Sequence, residues 1–119
     1  MTILVVDDSS VMRKIVIRTL RQAGFGNHDV VEAEDGVEGL AKVKESRPDV
    51  VLSDWNMPNM DGLQFCEALR AENIDLPFGF VTSELTAEQK ALGVGAGASC
   101  MLSKPFTADD LSAELSKVL

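Results

Sequence analysis

Val50-Val51-Leu52-Ser53 is an apolar, mostly β-branched run that stops on Asp54. A strand that stays apolar without alternating is buried on both faces, and such strands belong to parallel sheets covered by helices. The chain repeats this pattern outward from position 50. Ile3–Val6 ends on the acid pair Asp7-Asp8, Val30–Ala33 precedes Glu34-Asp35-Gly36, Phe78–Val81 ends on Thr82, and Cys100–Ser103 ends on Lys104-Pro105. Four runs therefore terminate on an acid pair, an acid, a hydroxyl and a cation. In an open α/β sheet the carboxyl ends of the strands line the site, so these groups are expected to meet at one edge.

Helical patterns fill the intervals. Ser9 or Ser10 caps a helix to about Ala23, with Val11, Ile15 and Leu20 inward and Gly24 as its stop. Asp35 or Gly36 opens a second helix with Val37, Leu40, Ala41 and Val43 inward, and Pro48 follows it. Pro58-Asn59-Met60-Asp61-Gly62 is loop chemistry, after which Asp61 caps a helix to about Glu72. Thr86 starts a short helix weakened by Gly93, Gly95 and Gly97. Thr107 caps the last one, Asp109 to about Val118, whose early acids favour the helix dipole. Gly79 interrupts the fourth strand, with Phe25 or Phe65 as large side chains that a missing Cβ could admit. Five alternations with right-handed crossovers give a five-stranded parallel sheet, a doubly wound (βα)5 α/β fold occupying residues 1–119 as one domain.

Composition narrows the function. Hydrophobic content of 45% and charged content of 25% place the chain among globular proteins. The start, Met-Thr-Ile-Leu-Val-Val, lacks the basic segment of a signal peptide and no stretch matches a membrane span, so a cytoplasmic location and no membrane insertion are expected. A net charge of −8 opposes direct nucleic-acid binding and suits solubility or a basic partner. Cys66 and Cys100 carry no metal or redox spacing and read as reduced, buried apolar residues; His28 reads as a surface residue.

Bringing Asp7, Asp8 and Asp54 together costs about 4 kcal/mol per pair at 4 Å and an effective dielectric of 20. A divalent cation offsets that, and an all-oxygen site favours Mg²⁺ over Zn²⁺. Lys104 adds a second positive charge. A carboxylate beside two cations can attack phosphorus in line, and Thr82 can bond a transferred oxygen. The product is a reversible aspartyl phosphate. One acid at one strand end is usually a helix cap; coincidence at four strand ends is what speaks for a site.

The segments Val5-Val6-Asp7-Asp8-Ser9-Ser10-Val11-Met12-Arg13, Glu34-Asp35-Gly36, Asp54 to Gly62, Val81-Thr82 and Ser103-Lys104-Pro105-Phe106 resemble the receiver domain of bacterial two-component response regulators over the whole chain. The likeness is nearest to the CheY-like single-domain chemotaxis type, a flavodoxin-like fold. The resemblance implies Asp54 as phospho-acceptor; Asp8, Asp54 and the Asn56 carbonyl as direct Mg²⁺ ligands, with Asp7 acting through water; Thr82 as the switch hydroxyl; Lys104 as ion-pair partner; and a cis bond before Pro105. It implies that Asn56 and Glu84 tune hydrolysis, and that Met101, Lys90 and Val94 belong to the output face. It further implies phosphorylation by a sensor histidine kinase of the CheA-like kind, or by a phosphotransfer protein, with the flagellar motor switch or another effector as target. Such a domain is not an enzyme beyond taking up and losing its own phosphoryl group. A phosphorelay shuttle, or the receiver of a longer regulator, is the alternative.

Two features depart from the family. Met101 stands where most receivers carry Tyr or Phe, and the chain has no tyrosine. Ser83 takes a place usually held by Ala or Gly. Three other classes compete. An aspartyl-phosphate hydrolase of the haloacid dehalogenase type would carry Asp-x-Asp after strand one. A flavodoxin-like cofactor binder would not place Asp7-Asp8 against a phosphate. A pseudo-receiver would bind partners without phosphorylation.

Overall fold

A computed structural model describes residues 1–83 and 85–118. The elements run β1 (Thr2–Val6), α1 (Ser10–Leu20), β2 (Asp29–Ala33), α2 (Gly36–Ser46), β3 (Val50–Ser53), α3 (Gly62–Ala71), β4 (Phe78–Thr82), α4 (Ala87–Gly95), β5 (Cys100–Ser103) and α5 (Ala108–Ser116). All strands pair in parallel in the order β2-β1-β3-β4-β5. The α/β doubly wound sheet expected from the alternation is the one that forms.

Side-chain alternation splits the core into two layers. Ile3, Val5, Val50, Leu52, Val81 and Leu102 face α1 and α5, meeting Val16, Leu20, Leu111 and Leu115. Leu4, Val6, Val51, Phe78 and Phe80 face the other way, onto Val43 of α2 and onto Phe65, Cys66 and Leu69 of α3. The central strand β3 is buried at all four positions, as its unbroken apolar run requires.

Every helix begins at the carboxyl edge of the sheet behind a side-chain cap. Ser9, Asp35, Asp61, Thr86 and Thr107 each accept from the backbone N–H three residues on. Asp61, Thr86 and Thr107 complete reciprocal capping boxes with Gln64, Gln89 and Asp110. Each such cap contributes about 1 kcal/mol and fixes where the loop before it must turn.

Several inward faces differ from the expectation. Val11 is 64% exposed and Val37 53% exposed, and Ala41 is exposed as well. The buried stripe of α2 is instead Gly36, Gly39 and Val43. The cause is what lies across from the helix: a Cβ on Gly39 would lie 2.9 Å from Phe65 Cζ and one on Gly36 2.7 Å from Met60 Cγ, so α2 presents its glycines to these two side chains. On α1 the buried residues are Val16, Thr19 and Leu20. This helix keeps its α-helical register only to Leu20; Arg21–Phe25 forms a wider π-type turn that closes on Gly24 at φ 97°. Gly79 does not accommodate Phe25 or Phe65. A Cβ there would lie 2.6 Å from Cys100 Sγ and 3.0 Å from Leu52 Cδ2, so the glycine makes room for its two cross-strand neighbours. The fourth helix forms despite its glycines, but Gly93 is its only fully buried residue among those described.

Candidate functional site

Strand register assembles the site. Val6 pairs with Ser53, and the Asp54 N–H donates to the Val6 carbonyl at 2.8 Å, which sets Asp54 beside Asp7. The Asp7 N–H donates to Ala33 O at 3.1 Å. On the other side Thr82 pairs with Ser103, and the Lys104 N–H donates to Thr82 O at 2.7 Å. Two one-residue overhangs past paired strands thus place an acid and a lysine on the same edge.

Asp7, Asp8 and Asp54 each offer a carboxylate oxygen within 4.8 Å of the others. Lys104 Nζ lies 3.0 Å from Asp7 Oδ2 and 3.5 Å from Asp54 Oδ2. The other Asp7 oxygen accepts from the Ser9 N–H at 2.9 Å, so both oxygens of this 3% exposed residue hold a protein partner. Asp54 Oδ1 accepts from the Trp55 N–H at 2.7 Å, and Asp8 is exposed at the mouth of the cluster. Burial pushes the Asp54 carboxyl above its ordinary range; Lys104 pulls it down, the Asp7 charge pushes it up and the Trp55 N–H lowers it.

Thr82 is fully buried at the end of β4. Asn56 lies exposed in the loop after β3, and the Lys104-Pro105 peptide bond is cis. Lys90 and Val94 are exposed on α4, whereas Met101 is half-buried beneath it. A Cβ on Gly93 would sit 2.3 Å from Met101 Cε and 3.2 Å from Phe80 Cε2, so the thioether occupies the space that this glycine leaves. Glu84 lies outside the described residues.

Sequence reasoning gave no role at the site to four residues, although Asp35 was expected as a helix start. Arg13 donates to the Asp7 carbonyl at 2.7 Å while its Nε meets Glu32 at 3.0 Å, bracing β1 against β2 beneath the acids. Asp35 and Asn59 join α2 to the loop after β3 at 2.8 Å. Gly62 is pressed against the acceptor, since a Cβ there would lie 2.1 Å from the Asp54 carbonyl oxygen. Arg13 lies one turn past the α1 cap and is legible only as a charge at a helix start. The other contacts link residues far apart in sequence or depend on how closely two backbones approach.

A parallel doubly wound sheet with three convergent carboxylates and a lysine at its carboxyl edge defines an aspartate-centred receiver. The chain belongs to the response regulator receiver domain family, whose model matches residues 3–116. It is 41% identical over 120 residues to the chemotaxis protein CheY-3 of Vibrio cholerae, covering 99% of this chain and 91% of that one. It is 38% identical to the response regulator MprA of a Mycobacterium species, covering 98% of this chain but 50% of that protein. The solved structure of Vibrio cholerae chemotaxis protein CheY4 superposes with a TM-score of 0.88 at 39% identity, covering 99% of this chain and 98% of the other. The protein is therefore a CheY-like receiver domain of a two-component response regulator, a signalling domain whose acid cluster is a candidate Mg²⁺ site. No helix among the described residues is long and apolar enough to cross a membrane.

Proposed function

We propose that this receiver is a phosphorylation switch that takes a phosphoryl group onto Asp54 from a phosphohistidine and signals through a partner-binding face, in a chemotaxis or motility pathway of the cytoplasm. The convergence of Asp7, Asp8, Asp54 and Lys104 at the sheet edge carries this reading. The donor set is all oxygen, and at least two acidic charges exceed what Lys104 alone neutralises, which fits a hard divalent cation. Asp8, Asp54 and the Asn56 carbonyl would hold Mg²⁺ directly. Asp7, with both oxygens already engaged, would act through water. The ion would supply charge neutralisation on the transferred oxygens.

Asp54 is the nucleophile. One carboxylate oxygen attacks phosphorus while the P–N bond of the donor histidine breaks, and the leaving imidazole takes up a proton. Lys104, already within ion-pair reach of Asp54, stabilises the negative charge of the transferred group. Thr82 at the end of β4 bonds a phosphoryl oxygen. Hydrolysis returns the carboxylate, at a rate that Asn56 and Glu84 would tune. Small phosphodonors serve the same uptake step, and uptake and loss of this phosphoryl group are the only reactions the domain performs.

An apolar hollow lined by Met12, Ile15, Pro105 and Phe106 adjoins Lys104. Its position beside the acceptor supports docking by a helical donor, a histidine kinase of the CheA-like kind or a phosphotransfer protein. On the other side, β5 and α5, with Leu85 from the loop before α4, frame a groove containing Met101, Phe106, Glu114 and Lys117. Together with Lys90 and Val94, which are exposed on α4, this groove makes the output face, and the flagellar motor switch or a comparable effector is its target.

Intact mass after incubation with Mg²⁺ and acetyl phosphate tests the switch. A single phosphoryl adduct that decays on removal of the donor, and is absent from Asp54→Asn, is the expected result. A wild-type chain that stays unmodified by both acetyl phosphate and a phosphohistidine donor would sink the proposal.

A further inference from the structure

The loop between β3 and α3, residues 55–61, carries Asn56 and must hold its shape if that residue is to face a cation. The loop is pinned at its base by the Gly62 N–H, which donates to Trp55 O at 2.8 Å. Its tip is a tight turn in which the Met60 N–H donates to Pro58 O at 2.7 Å and Asn59 adopts φ 66°. From outside the β3–α3 segment, two hydrogen bonds reach it among the described residues. The Asn59 amide donates to Asp35 Oδ2 at 2.8 Å, and the Gly36 N–H donates to Met60 O at 3.0 Å. Both come from the first residues of α2, and Gly36 fits there because a Cβ would lie 2.8 Å from Met60 O.

We infer that Asp35 and Asn59 are positioning residues for the phosphoacceptor site: with the Gly36–Met60 bond they latch the loop to α2 and hold Asn56 in place for the divalent cation. The inference rests on the Mg²⁺ site proposed above. Asp35 divides its two oxygens between two tasks. Oδ1 accepts from the Glu38 N–H and caps α2, while Oδ2 receives Asn59. One carboxylate thus ties the loop to a helix start that is itself seated on the core through Gly39 and Val43. The Glu38 N–H and the Asn59 amide also hold the Asp35 carboxyl below the usual carboxylate range, so the latch carries a full negative charge at neutral pH. Partners one step removed from a metal ligand commonly govern its affinity as strongly as the ligands' own geometry does.

Two substitutions separate the latch from the cap. Asp35→Ser retains a good capping oxygen but is too short to reach the Asn59 amide. Asn59→Gly keeps the left-handed backbone and removes only the amide. Mg²⁺ titration followed by Trp55 fluorescence reads the site, since Trp55 adjoins Asp54 and packs on Phe80 with ring centroids 4.6 Å apart. Each variant is expected to bind Mg²⁺ roughly tenfold more weakly. The double variant should be no weaker than either single one, because both remove the same bond. Amide exchange at Gly36 in the metal-free protein should accelerate in both. A merely structural role would lower the urea midpoint and leave Mg²⁺ affinity alone. Affinity within twofold of wild type in either single variant, or fully additive losses in the double, overturns the inference. A wild-type chain with no Mg²⁺ response overturns it in a different way, because the site reading then fails along with it.

Discussion

Replacing Gly62 and Gly95 by alanine, one at a time, should move stability in opposite directions although the chemistry is identical. Both residues are helical and neither has a positive φ. At Gly62 the new methyl would lie 2.1 Å from the Asp54 carbonyl oxygen and 3.0 Å from Trp55 Cα and from Phe80 Cε1. Two of those three neighbours are backbone, so no rotamer change relieves the overlap. The start of α3 must retreat by about 1 Å to restore ordinary contact, which forfeits the Gly62–Trp55 bond. Overpacking of this kind costs about 1–3 kcal/mol and the lost bond about 1 kcal/mol, against at most about 1 kcal/mol of helix preference gained. A net loss of about 1–3 kcal/mol follows. At Gly95 nothing lies within 4 Å of the added methyl. Only helix preference acts there, so Gly95→Ala should gain about 0.5–1 kcal/mol. Urea unfolding, followed by Trp55 fluorescence and by far-ultraviolet circular dichroism, measures both. With a slope of about 1.5 kcal/mol per molar urea, the Gly62→Ala midpoint falls by roughly 0.7–2 M and the Gly95→Ala midpoint rises by about 0.5 M. Coincident midpoints for Gly62→Ala and wild type would refute the close approach of α3 to the acceptor. The effect should also carry over to phosphorylation, since the added methyl presses on the Asp54 carbonyl.

Asp8→Asn removes one charge from the mouth of the acid cluster. The metal-free protein should gain about 1 kcal/mol, the size of one repulsive pair in a solvated setting. Mg²⁺ should then no longer raise the urea midpoint; a midpoint that still climbs with Mg²⁺ speaks against Asp8 as a ligand. Burial, the largest cause, raises the Asp54 carboxyl above its ordinary range. The folded state therefore holds that proton more tightly than the unfolded one, and metal-free stability falls as pH rises from about 4 through the raised value. Relative to wild type, Asp54→Asn should gain stability across that window in the absence of divalent cations; parallel stability–pH curves would contradict it. Cys66 and Cys100 are free and buried, with burial pushing both thiols up to about 11. At pH 8 a disulfide reagent should label neither in the native protein and both after denaturation, as protonated, inaccessible thiols require. Fast labelling of the native protein would show that the β5–α3 side opens readily.

The sequence by itself determined the elements, the sheet class and the identity of the site's charged groups. Strand runs of unbroken apolar residues demand burial on both faces, and caps at Ser9, Asp35, Asp61, Thr86 and Thr107 are local chemistry that needs no distant partner. Parallel strands must release Asp7, Asp54, Thr82 and Lys104 at one edge, so their meeting is legible before any coordinates. Tertiary structure alone decided what depends on distances between segments remote in the chain. Val11, Val37 and Ala41 were expected inward because they continue an apolar period, yet which arc of a helix faces the sheet depends on the bulk across from it. On α2 the Phe65 ring, 26 residues further along the chain, selects glycine. Gly79 makes room for Leu52 and Cys100, and Gly93 for Met101. A missing Cβ reports that something is close without naming what. The tie of Asn59 to Asp35 and the brace of Arg13 beneath Asp7 belong to the same class. Each is a polar pair joining separate strands and helices, and pattern along a chain fixes periodicity and chemistry but not which side chains close the gap between elements.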